Sequence, residues 1–428
     1  MCNEELRLLA IETGFCSRES KLSPEVFFDL LFYAASLSLN SSLEHLASHL
    51  YDFHGIEICK QSLDGRFTEK TVDFVKAVLS RLIRAQFSDM LISEGFCSEF
   101  NHVRIKDSTT FKVPDNLAAN YSGNGGGAAG ITIQYEFDLK TGEFLDLTLT
   151  EASRNDQTDS METSGNISEN DLVLRDMGYF SISVFCKTNG AKAFFLSRLP
   201  ANVTVFDENG CELDFSKLES YMSKNGIEQM EKQVLIGEKK MPVRLMIGRV
   251  PESVYQQRLR RKNEEEKRKG RKTKERTKML LHFNLFITNA DGEKLPISKI
   301  MPLYRFRWQV ELNFKFWKSL YSIHTLQKMK EARYITMIYT RLILIVVNVQ
   351  IINRVQHILS KQEGGLLSYH KALHTMKDKF AEVMLVLRDS MDNAVVILAD
   401  IFRVLSKNHW REKRKNRENF IENICLFI

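Results

Sequence analysis

The chain has 428 residues, 43% hydrophobic and 27% charged, with a formal net charge of +6 at pH 7 and a pI near 8.8. This composition excludes a disordered or fibrous chain and allows a sizeable core in roughly two to four domains, while the basic balance admits an anionic partner without requiring one. Seven cysteines are scattered with no Cys-x-x-Cys pair, which argues against a zinc site or a disulfide framework and suits a reducing cytosol.

Residues 1–98 read as helical. Ser23-Pro24-Glu25 opens a helix whose apolar run extends from Val26 to Leu39. Ser41-Ser42 caps a second helix, Leu43 to Tyr51, with Leu43, Leu46, Ala47 and Leu50 on one face. After a turn at His54-Gly55, the spacing of Phe67, Val72, Val75, Leu79 and Leu82 predicts one helix from Ser62 to Leu82. Helix, turn and helix in this order are compatible with a DNA-reading domain, and equally with a plain helical bundle.

At Val103 the pattern changes to strands. Val103-Arg104-Ile105-Lys106-Asp107 alternates and is expected to end on its acid. A glycine-rich loop, Gly123 to Gly130, leads into Ile131 to Leu139, a hairpin turn at Thr141-Gly142 and a strand from Phe144 to Thr150. The loop is not a phosphate loop, because it lacks the Gly-Lys-Ser/Thr ending and precedes a strand instead of a helix. Leu172-Val173-Leu174 predicts a short buried strand ending at Arg175-Asp176, and Ala193 to Leu199 another. Strand, hairpin, strand, helix, strand, helix and strand is the order of an RNase H-like core.

From 201 to 290 a β-rich insertion follows, with strands expected at Val203 to Phe206, Gln233 to Ile236 and Val243 to Val250. Within it, Arg258 to Lys278 carries twelve lysines and arginines against four glutamates. Such a run is commonly solvated and mobile; it can also lie along a DNA backbone through Arg258, Arg260, Arg261, Lys262, Arg268, Arg271 and Lys272. His282 to Thr288 resumes as a strand and Asp291-Gly292 turns the chain.

Residues 291–355 return to the core and 356–428 form a C-terminal helical region, a candidate for dimerisation. Tyr334 to Val355 is strongly apolar. Its longest uninterrupted run, Leu342 to Val347, is too short to span a bilayer and predicts a buried helix. There is no apolar signal stretch after a basic start, and the tail from His409 to Arg417 is basic.

The segment from Tyr304 to Lys318 is the most informative. Read as one helix at about 100° per residue, it gathers Tyr304, Arg307, Trp308, Glu311, Lys315 and Lys318 within about a third of the circumference. A single carboxylate among cations suits a metal-binding acid beside phosphates. The spacing also fits an ordinary solvated face with Glu311 and Lys315 paired at i,i+4.

Tyr304-x-x-Arg307-Trp308-x-x-Glu311-x-x-x-Lys315-x-x-Lys318 resembles the Tyr-Arg-Glu-Lys signature of the DDE transposases of bacterial insertion sequences, in the family called insertion sequence four. Asp107-Ser108-Thr109-Thr110 and Asp176-Met177-Gly178-Tyr179 resemble the contexts of that family's first two acids. The resemblance covers about residues 100–330. It implies an α/β fold: an RNase H-like catalytic core interrupted by a β-rich insertion and flanked by helical regions.

The resemblance further implies a cytoplasmic, nucleoid-associated bacterial enzyme. It would bind double-stranded DNA at the element's terminal inverted repeats and cut and join it as a homodimer, with two Mg²⁺ ions (Mn²⁺ being an alternative) held by Asp107, Asp176 and Glu311. Tyr304, Arg307, Lys315 and Lys318 would contact phosphates, and Trp308 would serve packing. Relatives stack a flipped base on a tryptophan of the inserted region. Here the tryptophans are Trp308, Trp317 and Trp410, so Tyr255, Phe283 or Phe286 would take that role. An RNase H-like nuclease without strand transfer, and a decayed repressor of the element, are the alternatives. Asp138, Asp146, Asp156, Asp159 and Asp171 are rival acids without a motif around them.

Overall fold

The computed structural model describes residues 2–18, 20–36, 42–86, 97–362, 366–379 and 391–410. The basic tail beyond 410, and the end of the first expected apolar run at 37–39, lie outside them. In chain order the first elements are α1 (Asn3–Glu12), α2 (Pro24–Ser36), α3 (Leu43–His54), α4 (Lys60–Asp64), α5 (Glu69–Arg84), β1 (Val103–Lys112), β2 (Gly130–Asp138) and β3 (Phe144–Glu151). Next come α6 (Asp156–Glu162), β4 (Leu172–Arg175), α7 (Ile182–Gly190), β5 (Phe194–Arg198), β6 (Val205–Phe206), α8 (Phe215–Lys224), β7 (Gln229–Ile236) and β8 (Met241–Arg249). The chain continues with α9 (Glu252–Lys269), α10 (Glu275–Leu280), β9 (Phe283–Thr288), α11 (Ile297–Arg305), α12 (Trp308–Tyr321), α13 (Glu331–Gln362), α14 (Tyr369–Asp378) and α15 (Met391–Asn408).

These elements form two compact units that cut across the sequence-based boundaries: Met1–Ser93 with Ser108–Ser153 and Gln309–Ile428, and Glu94–Asp107 with Arg154–Trp308. In the first, α13 is the central helix and packs on α5, α2, α14 and α15. It is the one described helix long and apolar enough to cross a membrane, and 89% of that stretch is buried inside the protein. Some of its polar groups are satisfied locally. Thr336 and Thr340 bond the carbonyls one turn back, and Asn348 donates to the Tyr321 hydroxyl at 2.8 Å. α13 is therefore the buried helix that its apolar run predicts.

The N-terminal helices start where expected. Pro24 occupies the first turn of α2, and the Ser42 hydroxyl accepts the His45 amide at the start of α3. The single helix expected from Ser62 to Leu82 is instead two. The chain turns through Gly65 and Arg66, Thr68 and Thr71 cap the start of α5, and Phe67 is thereby carried into the core with no exposed surface. Burying that ring stabilises by roughly 2 kcal/mol, more than a continued helix would gain from one turn.

The outer half of β1, β2 and β3 make the sheet of this unit. Thr110 and Thr132 join hydroxyls at 2.8 Å across β1 and β2, and β2 pairs antiparallel with β3. The glycine-rich loop before β2 folds on itself: a Cβ on Gly123 would lie 2.0 Å from the Gly127 carbonyl oxygen. The glycines therefore serve close backbone packing. Gly123→Ala is expected to cost about 1–3 kcal/mol by overpacking, read as a lower denaturant midpoint at unchanged slope.

In the second unit the strand order is β1-β4-β5-β9-β8-β7-β6. The first three are parallel, β9 runs antiparallel to β5, and the β7–β8 hairpin continues the sheet through β9. The inserted region thus extends the core sheet and shares its hydrophobic cluster, including Phe195, Val234, Leu245 and Ile287. The basic run, expected to be mobile or DNA-bound, is helical over α9 and α10, with Gly270 in the left-handed conformation between them.

Candidate active site

Parallel pairing of β1 with β4 sets Lys106 beside Arg175, so the residues that follow, Asp107 and Asp176, are neighbours. Asp107 does not close its strand as expected: β1 runs on to Lys112, because Thr109 and Phe111 remain buried and keep the strand paired. Asp176 follows β4 directly. It stands where an N-cap would, before the single turn Met177–Tyr179, but its side chain caps nothing. It turns instead to Arg307.

Arg307 joins the two acids. Its Nη1 lies 3.3 Å from Asp107 Oδ2 and its Nε 3.6 Å from Asp176 Oδ1. The guanidinium and the Asp107 carboxylate are about 15% exposed, whereas Asp176 is 42% exposed and reaches solvent. This arrangement exists because the signature segment is not one helix. α11 ends at Arg305, i→i+3 bonds turn the chain at Phe306 and Arg307, and α12 begins at Trp308. Phe306, only 2% exposed, swings into the core at the break and Arg307 is aimed at the acids.

The single helical face drawn from sequence therefore holds only for Trp308, Glu311, Lys315 and Lys318 on α12. Tyr304, expected at a phosphate, is buried on α11. Its hydroxyl donates to the Arg175 carbonyl at 3.4 Å, Phe286 packs edge-on to its ring, and burial together with the nearby Asp176 pushes its pKa up to about 12. Tyr304 thus supports the backbone just before Asp176.

Glu311, Lys315 and Lys318 belong to the other unit, with Glu311 in the first turn of α12. That helix is anchored by Trp317, 1% exposed, which packs against Tyr135, Phe144 and Phe314. Lys315 is exposed. Lys318 donates to the Thr110 carbonyl at 3.4 Å, and burial lowers its pKa. Trp308, expected to pack, is 45% exposed. Of the aromatics considered for stacking, Phe283 and Phe286 are core residues and Tyr255 already stacks on His282 at 3.6 Å.

Three of the rival acids, Asp138, Asp159 and Asp171, do structural work. Asp138 accepts the Lys140 amide and the Thr141 hydroxyl in the hairpin. Asp159 pairs with Lys106 and Arg154, and Asp171 with His102 and Arg104. Among the basic candidates, Arg258 is committed inward, donating to the Leu281 and Phe283 carbonyls and to Asn284. Lys262 pairs with Glu265, whereas Arg260, Arg261, Arg268, Arg271 and Lys272 are exposed. Sequence reasoning passed over Lys106 and Arg175. The available signal was a cation in an apolar strand immediately before each acid.

Two carboxylates close enough to share one guanidinium are hard oxygen donors suited to a divalent cation. No group of three His, Cys, Asp or Glu side chains forms a metal cluster among the described residues. Parallel β1, β4 and β5, with Asp107 within the first strand and Asp176 directly after the second, fit an RNase H-like core.

Residues 99–347 match the family model described as transposase DDE domain. The chain belongs to the DDE transposases of insertion sequences, and it is an enzyme of the metal-dependent, DNA-acting kind. It is similar to the transposase for insertion sequence element IS231F of Bacillus thuringiensis subsp. israelensis, 30% identical over 98% of this chain and 92% of the relative. A second relative is the transposase for IS231D of B. thuringiensis subsp. finitimus, 30% identical over 97% and 91%. The transposase for IS1151 of Clostridium perfringens is 23% identical over 89% and 84%.

Proposed function

We propose that this transposase binds the terminal inverted repeats of its insertion sequence, cuts the DNA there and joins the freed ends to a target in a cut-and-paste reaction. Asp107, Asp176 and Glu311 are the acids that hold two Mg²⁺ ions, with Mn²⁺ able to replace them. The observation that carries this reading is Arg307 bridging Asp107 and Asp176.

Divalent ions at these acids would supply a polarised phosphate and an activated water or 3′-hydroxyl for in-line displacement. Asp107, within β1, and Asp176, just after β4, present their carboxylates from adjacent strands, and α12 fixes Glu311 through Trp317. Arg307 has five donors in a planar fork, so it can hold the acids and meet a phosphate. Lys315 offers a point charge to the backbone. No covalent protein intermediate is needed.

The N-terminal helices would read the repeat, in a DNA-bound enzyme of the bacterial cytoplasm and nucleoid. The exposed cations of α9 and the following loop would follow the DNA backbone. Replacing Arg260, Arg261, Arg268 and Lys272 by Ala is then expected to flatten the slope of log affinity against log salt by up to about 3.6, since each phosphate contact contributes about 0.9. Arg258→Ala should instead lower thermal stability and leave the slope unchanged.

A homodimer would allow both ends to be cut in concert, and α15 exposes Val395, Val396 and Leu398 as an apolar surface. The test of function is incubation with Mg²⁺ and a plasmid carrying both element ends. Release of the element and its insertion into a second plasmid supports the reading. Cleavage without joining would make the chain a nuclease, and end-specific binding with neither would make it a repressor.

A further inference from the structure

The acids Asp107 and Asp176 share an arrangement behind them. Each is preceded by a buried cation, Lys106 with no exposed surface and Arg175 with 3%, and the two are register partners across β1 and β4. Side chains alternate along a strand, so these cations leave the face opposite Asp107. They end on one short helix. In α6, consecutive residues Asp159 and Ser160 receive them: Lys106 Nζ lies 2.6 Å from Asp159 Oδ2, and Arg175 Nη1 donates to Ser160 Oγ. Lys106 also donates to Thr163 Oγ1 at 3.0 Å, and Arg154 approaches Asp159 Oδ1 at 3.3 Å.

The same helix grips the segment after Asp176. Gln157 donates to the Phe180 carbonyl at 3.1 Å, and Gly178 is so close that an added Cβ would lie 3.3 Å from Asp156 Oδ2. α6 is therefore bonded to the strand under the first acid, to the strand under the second, and to the turn that follows the second. A buried ion pair is a costly way to hold a strand if stability were the only gain, since well-packed apolar residues of similar volume often stabilise as well or better. Its directional geometry, however, limits how β1 can shift against α6.

We infer that Asp159 is a positioning residue for the metal-binding acids: by holding Lys106 from the rear of the sheet, it sets the spacing of Asp107 and Asp176. It touches neither DNA nor metal. The inference rests on the proposed assignment of Asp107 and Asp176.

The experiment measures Mn²⁺ binding to the DNA-free protein by electron paramagnetic resonance, and kcat and KM for cleavage of end DNA. It compares Asp159→Asn, the double variant Lys106→Met/Asp159→Leu, and Asp107→Asn as reference. The double variant removes both charges together, so it remains folded if the single variant does not. Both are expected to lose about 10- to 100-fold in Mn²⁺ affinity and in kcat, as removal of groups that orient metal ligands does, with KM for DNA unchanged. A folded double variant with parental Mn²⁺ affinity and kcat would show that the pair serves stability alone and would overturn the inference. If Asp107→Asn also left Mn²⁺ binding intact, the assignment of the acids themselves would fail.

Discussion

Glu311→Gln is expected to bind end DNA as tightly as the parent chain and to cleave it at least about a thousandfold more slowly, because a metal ligand contributes several kcal/mol of transition-state charge stabilisation. The substitution keeps the shape of the side chain and the start of α12, whose position is fixed by the buried Trp317 and Phe314. It removes one negative charge, and an amide oxygen is a poorer ligand for a hard cation. Asp107→Asn and Asp176→Asn should behave alike. Both also release Arg307 from one carboxylate, so neither is expected to weaken binding to an anionic backbone. Gel-shift affinity and single-turnover cleavage on the same end duplex separate the two effects. Equal cleavage by parent and Glu311→Gln would place the chemistry on another residue, whereas loss of binding together with cleavage would give Glu311 a structural part in α12.

The second large effect concerns stability. Asp171→Ala should destabilise by about 3–5 kcal/mol, since it removes the carboxylate that pairs with the buried charge of Arg104. Asp171 has no exposed surface and sits just before β4. Its carboxylate contacts His102 Nδ1 at 2.8 Å, accepts the Ser168 amide at 3.0 Å and lies 3.2 Å from Arg104 Nη1. Burial by itself would push the carboxyl's pKa up, but the bonds from His102 and Ser168 and the charge of Arg104 together hold it below the ordinary carboxylate value.

The sign of the pH dependence follows. A carboxyl with a depressed folded pKa gives a contribution fully present above its unfolded pKa, near 3.9, and lost as pH falls through the lower folded value. The stability difference between the parent and Asp171→Asn should accordingly shrink in acid below about pH 4. Denaturant midpoints from pH 7 to pH 3 would check it. Cleavage by the folded fraction of Asp171→Asn should persist, which distinguishes this acid from Asp107, Asp176 and Glu311.

Much of the fold was legible because its signals are local. The alternation in Val103 to Asp107 and in Phe144 to Thr150, the serine and proline before α2 and α3, and the hairpin turn at Gly142 act over a few residues, and they place most of the strands within two or three residues of where they stand. Asp107, Asp176 and Glu311 were singled out by the residues around them. What failed was continuity. β1 was expected to stop at Asp107, the helix from Ser62 was expected to run unbroken, and the signature was read as one helix.

In each case a buried aromatic decided the outcome: Phe111 keeps β1 going, Phe67 breaks the helix before α5, and Phe306 separates α11 from α12. Helical periodicity cannot report such a break, because it assumes the regular element in which residues are then placed. The sequence by itself determined the motif residues, their order along the chain and the α/β class. Only the tertiary structure decided that Arg307 bridges Asp107 and Asp176, that Tyr304 is buried against β4 while Trp308 is exposed, and that Lys106 and Arg175 converge on α6. Those contacts join residues up to 200 positions apart, and their energies come from burial and charge pairing that exist only once the strands lie side by side.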